Sequence, residues 1–174
     1  MTHIMDTFEL VVRYDSELRE QLEAGSEDPL GWVDATYAGD RALIGGTDTE
    51  GMKEYLVSFF GGLLQSVPDI LEGDRVIVRT GNGPVYIVLE PREESAITIS
   101  VCYSQATARS PDARESYEPT ATVRTRPFLM GLLEAVTEFE AFALSVNPAL
   151  AEQSAYQGLR ADIERIEAIY EQRS

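Results

Sequence analysis

The residues of this chain that could act on a substrate are few in kind. Its 174 residues include one histidine, His3, one cysteine, Cys102, and 30 aspartates and glutamates. A Ser-His-Asp or Cys-His arrangement would have to recruit His3 from the extreme N-terminus, which sets such triads aside. Histidine-based metal sites fall with it. A single cysteine leaves no internal disulfide and no cysteine-based zinc cluster, which fits a reducing cytoplasm. As a nucleophile Cys102 would need a base and an electropositive setting. A small filler on a strand is the simpler reading.

Carboxylates recur in groups: Glu90, Glu93 and Glu94; Asp69, Glu72 and Asp74; Glu134, Glu138 and Glu140. Two in register could pair as acid and base. With 30 acids in the chain such proximity is expected by chance, so such a pair is more often a solvated face. There is no P-loop and no dinucleotide fingerprint. Gly45-Gly46-Thr47 stands where a helix N-terminus could take an anion, but Asp48 and Glu50 already complement that end and repel phosphate. No catalytic, cofactor-binding or metal-binding residue is assigned.

The formal net charge is -16 and the pI about 4.3, so the surface repels phosphate backbones and no nucleic-acid partner is expected. The 14 basic residues are arginines except Lys53. Two accounts fit: a surface that attracts a basic partner, or the proteome-wide acidity of a salt-adapted source. The charge is uneven. Residues 75–126 hold seven arginines against six acids, and the strong negative balance lies elsewhere. Such asymmetry can mark a contact surface, with Arg79, Arg92, Arg109 and Arg114 as its candidates. The ordinary alternative is that strand arginines pair with carboxylates on flanking helices. The N-terminus lacks the pattern of a signal peptide, and no apolar run approaches the ~18 residues of a membrane helix. A cytoplasmic location is the expectation.

These residues need elements to hold them. From Arg75 to Tyr103 three Val-, Ile- and Tyr-rich runs separated by turn residues predict a strand meander. Gly81-Asn82-Gly83 suits a tight loop with positive φ at Asn82 and Gly83. Strands are also expected at Phe8–Tyr14, Trp32–Tyr37, Arg41–Ile44 and Thr120–Thr125, and a short helix at Ser16–Ala24 with Asp15 as its cap. The first long helix is read as 48–66, with Thr47 and Glu50 as a capping box, an apolar stripe beginning at Met52 and Tyr55, and Pro68 as its stop. Ser104–Pro119 reads as a long polar loop. Phe128 to Val146 continues the periodicity of a second long helix. After Asn147-Pro148 a last helix carries Leu159, Ile163, Ile166 and Tyr170 as a narrow seam like that of a coiled coil.

The order of parts from Trp32 to Val146 resembles that of small immunity proteins from polymorphic-toxin systems. The resemblance rests on GNGPVYIVL, the hairpin Val78–Leu89 and the closing helix Phe128–Phe142, and covers about two thirds of the chain. It implies a protein that binds and masks a toxin domain without catalysis. The final helix, Ala149–Gln172, departs from that pattern.

The expectation is one α+β domain, 1–174: a mainly antiparallel sheet of five to seven strands, helices 48–66 and 127–146 on one face, and a C-terminal α-hairpin. The function expected is a non-enzymatic, acidic protein-binding module, an immunity-type inhibitor in its sharpest form. The alternatives are a small carboxylate-based enzyme and a structural subunit. The narrow seam adds the expectation of a homodimer through Leu159, Ile163, Ile166 and Tyr170.

Overall fold

The computed structural model describes residues 3–38, 41–44, 51–83, 85–93, 95–110 and 120–173. The fold is α+β, built on two sheets instead of one. The meander forms as expected: β6 (Val76–Arg79), β7 (Tyr86–Arg92) and β8 (Ala96–Cys102) pair antiparallel in sequence order. β9 (Thr120–Arg124) pairs antiparallel with β8, and the short β1 (Ile4–Met5) joins β9 in parallel, giving a five-stranded sheet. β8 is its middle strand, and all seven of its residues are buried.

The second sheet centres on β3 (Leu30–Tyr37). β2 (Phe8–Val12) lies along one edge of it. The other edge is shared: β4 (Arg41–Ile44) pairs from Ala35 to Tyr37, and β5 (Met52–Tyr55) pairs from Leu30 to Val33. The β5 pairing overturns the expected start of the first long helix. Met52 and Tyr55 belong to a strand, and helix α2 runs Leu56–Leu71. Its N-terminus is satisfied from far away in sequence. The Asp28 carboxylate accepts from Val57 N at 2.8 Å and Ser58 N at 3.2 Å, and the Leu56 N–H donates to Pro29 O at 2.9 Å. A distant aspartate thus satisfies orphan helix donors. The capping pair proposed at Thr47 and Glu50 lies outside the described residues, as does Gly45-Gly46. Pro68 does not stop the helix. It lies inside α2, three residues before its end, where it removes the hydrogen bond its N–H would have given to Leu64 O.

The smaller expectations divide. Asp15 caps α1 (Ser16–Glu23) through Leu18 N at 2.9 Å. Gly83 takes φ +103°, but Asn82 does not adopt positive φ. Its N–H donates to Glu54 Oε2 and its side-chain amide to Lys53 O at 2.7 Å, so the loop is pinned to β5. Within the supposed long loop, Gln105–Arg109 forms a short helix, α3, capped by Ser104. Residues 111–119 lie outside the description.

Helix α4 spans Thr125–Val146. Asn147 ends it, caps a 3-10 turn at Pro148–Glu152 through Ala149 N, and helix α5 follows at Ser154–Gln172. Both sheets and the long helices share one core, with Leu10, Val33 and Ala35 from one sheet and Ile87, Leu89 and Ile99 from the other. α2 packs on β6 and β7, and α4 on β2, β8 and β9. Gly131 of α4 lies so close to β2 that a Cβ there would meet Phe8 O at 2.3 Å, so only glycine allows this approach.

α5 lies in the crevice between α2 and α4. Leu159, Ile163 and Ile166 are buried within the chain at 2% exposure or less, and Tyr170 is half-buried. This corrects the seam expected as an interface. A stripe too narrow to hold one helix face in water is wide enough for a V-shaped crevice, because α2 supplies a second wall. The argument from an unpartnered seam to a homodimer loses its premise.

Candidate functional site

Packing α5 into that crevice leaves a groove on its α4 side. α4 is apolar on most of its circumference. Phe128, Leu132, Val136, Phe139 and Ala143 point into the core, while Leu133, Thr137 and Ala141 form a second stripe at four-residue steps on its flank. α5 runs antiparallel beside it, so Glu140 meets Arg160 and Met130 meets Tyr170. In that register the groove floor is Leu133, Thr137, Ala141 and Tyr170, and its rims are Glu134 and Glu138 on α4 and Glu167 and Glu171 on α5. The volume is about 480 Å³.

The groove is fixed at both ends. At one end the Tyr170 hydroxyl donates to Met130 Sδ at 3.7 Å, and the Arg126 guanidinium lies 4.1 Å from the Tyr170 ring centroid. Near the other, the nearly buried Glu140 accepts a two-point contact from Arg160, with Nε donating to Oε2 at 2.9 Å. The hydrogen bond to Glu140 pushes the Arg160 guanidinium above its already high range. Such a fork fixes the interhelical angle as well as adding energy. Tyr14 packs against Phe142 with centroids 4.6 Å apart and rings tilted by 54°, and burial, then the Glu138 charge, drives its phenol well above its ordinary value.

Glu134 and Glu138 are exposed on an open rim over an apolar floor, and on the facing rim Glu167 lies 3.9 Å from Arg160. The arrangement here suits contact with an amphipathic cation.

The arginine candidates lie elsewhere, with Arg79 opposite Tyr86 at one end of β7 and Arg92 at the other end. Arg79 and Arg92 are exposed on the outer face of the five-stranded sheet, and Arg109 ends α3, whose Ala108 packs on that face against Val88 and Cys102. Arg114 lies outside the described residues. Arg92 donates to Thr98 Oγ1 at 2.9 Å and approaches Glu90 at 3.8 Å, and Arg124 pairs with Asp6 at 2.8 Å. Strand carboxylates and the N-terminal segment, not the flanking helices, provide these partners. Cys102 is fully buried in that small cluster. Asp69, Glu72 and Asp74 converge at the end of α2 with oxygens within 4.8 Å of one another, all exposed.

The groove itself escaped the sequence reading, although a signal existed. Glu134/Glu138 and Glu167/Glu171 are both i,i+4 pairs on helices joined by a short connection, and antiparallel pairing brings such pairs side by side.

Among the described residues, no helix is long and apolar enough to cross a membrane. No protein-family model, curated protein or solved structure matches this chain.

Proposed function

We propose that this chain is a non-enzymatic, acidic protein-binding module whose partner is a basic protein, with an immunity-type inhibitor as the sharpest form of that reading. The observation that carries it is the open groove between α4 and α5, an apolar floor edged by four glutamates on a chain of net charge -16. Charge complementarity of this kind sets association rate and partner choice more than raw affinity. The resemblance of the meander and closing helix to immunity proteins agrees with it, as an analogy of architecture. The test is co-expression with the product of the adjacent gene. A stoichiometric complex whose association slows steeply with salt, together with relief of that product's toxicity, is the expected result. Turnover of a small-molecule substrate by the isolated chain, with no complex formed, would overturn it.

A further inference from the structure

We infer that the α4–α5 groove receives one basic amphipathic helix of the partner, an inference that rests on the protein-binding reading above. Two antiparallel helices present a longitudinal furrow, and a third helix is the natural ridge to fill it. The floor runs along α4 from Leu133 to Ala141, about 12 Å at 1.5 Å per residue, which matches about two turns of an occupant. The volume of about 480 Å³ accepts a few large side chains from one face of such a helix.

The rims decide the chemistry. Glu134 and Glu138 on one wall, and Glu167 and Glu171 on the other, are each spaced four residues apart, about 6 Å along the furrow, and because Glu167 already lies 3.9 Å from Arg160 the α4 wall carries most of the attraction. An apolar stripe flanked on both sides by Arg or Lys would lay its leucines on Leu133, Ala141 and Tyr170. Its cationic heads would reach the carboxylates, with their alkyl stems covering the floor. A second copy of this chain is disfavoured as occupant, because it brings a further -16 to an anionic groove.

The experiment uses a fluorescent helical peptide of about 15 residues with leucines at i, i+3, i+4 and i+7 and arginines on both flanks. A scrambled peptide of equal composition is the control. Binding is read by anisotropy at an ionic strength of about 0.15 M. Wild type should bind the patterned peptide in the micromolar range and the scrambled one about tenfold more weakly. Ala141→Arg, which obstructs the floor and repels the cationic peptide, and the triple variant Glu134→Gln/Glu138→Gln/Glu171→Gln should each lose about tenfold or more. The triple variant Asp69→Asn/Glu72→Gln/Asp74→Asn removes the same charge elsewhere and should change binding less than about twofold. All seven positions are exposed, so the variants keep the core intact. Equal binding of both peptides, with equal loss in the two triple variants, would overturn the groove assignment and leave an acidic binder of diffuse specificity. Absence of binding to either peptide would also overturn it, and the co-expression result then decides the wider reading independently.

Discussion

Glu140 and Glu54 are the two buried glutamates among the described residues, and the chain treats them oppositely. Glu140, between α4 and α5, meets a guanidinium that takes both its oxygens. Glu54, on β5 beneath the Gly81–Gly83 loop, receives the Asn82 N–H at 3.3 Å on one oxygen, while its other oxygen has no hydrogen-bond partner. Burial pushes the Glu54 carboxyl above the ordinary carboxylate range. The nearby Thr80 hydroxyl and the Asn82 and Gly81 N–H groups act against that shift, and the Asp28 charge adds to it. A buried charge with a matching ion is a clamp, and one without it is a reservoir of instability. The paired carboxylate underlies the candidate groove. The unpaired one sits where β5 of one sheet meets the β6–β7 loop of the other.

The largest effect should come from breaking the clamp. Arg160→Ala strands Glu140 in a nearly buried site. Loss of one partner of a buried pair typically costs about 3–5 kcal/mol, and because Arg160 is 40% exposed the expected cost here is nearer ~2 kcal/mol. Urea midpoints measure it. Replacing both partners by apolar residues of similar size should recover most of the loss. If the single variant is as stable as wild type, the clamp contributes nothing and the comparison collapses.

Next in size is the loop that covers Glu54. At φ +103° Gly83 has open space around its Cα, so a side chain there meets backbone strain and no clash. Gly83→Val should cost about 1–2 kcal/mol, and Gly83→Ala less. Unchanged urea midpoints for the valine variant would show that the loop relaxes freely. The cost should fall in a Glu54→Gln background, since the loop then no longer holds a charged group in place.

Some of this was legible in the sequence, and the limits are physical. The meander, the Asp15 cap, and the stop and restart at Asn147-Pro148 were readable because each depends on neighbours within a few residues. The start of α2 was not, because its cap is Asp28, 29 residues before Val57, and because Met52–Tyr55 fits a helical stripe as well as a strand. The burial of Leu159, Ile163 and Ile166 depends on a third helix that no local pattern announces. Asn82 looked like a turn residue and serves as a hydrogen-bond donor to another sheet. Among 30 acids, nothing local marks Glu54 and Glu140 as the ones that burial would select.

A gain should follow from neutralising the unpaired carboxylate. Glu54 binds its proton more tightly in the folded chain than in the unfolded one, so folding takes up a proton between the two pKa values. Stability then falls as pH rises from the ordinary carboxylate range through the raised value, and the full penalty is present above that value. Glu54→Gln keeps an acceptor for the Asn82 N–H and removes the charge. Above the raised value it should be more stable than wild type by about 1 kcal/mol, and the difference should vanish as the pH approaches the ordinary carboxylate range. A gain independent of pH would mean that shape, not ionisation, is responsible. A loss at every pH would mean that the charged form is the one the loop requires.

The smallest effect separates exposed carboxylates from buried ones. At net charge -16 the surface repels itself, and screening extends to about 10 Å at 0.1 M salt but shrinks to about 3 Å at 1 M. Raising KCl from millimolar to molar should therefore lift Tm by several degrees, on the order of 1 kcal/mol. Glu140 is nearly buried while Arg160 is 40% exposed, so salt weakens the clamp only in part. Wild type and Arg160→Ala should accordingly rise together, with most of their separation preserved. Converging curves would place the clamp among the weak surface pairs. A Tm that stays flat or falls with salt would remove self-repulsion as a cost of the acidity and leave recognition of a basic partner as its physical account.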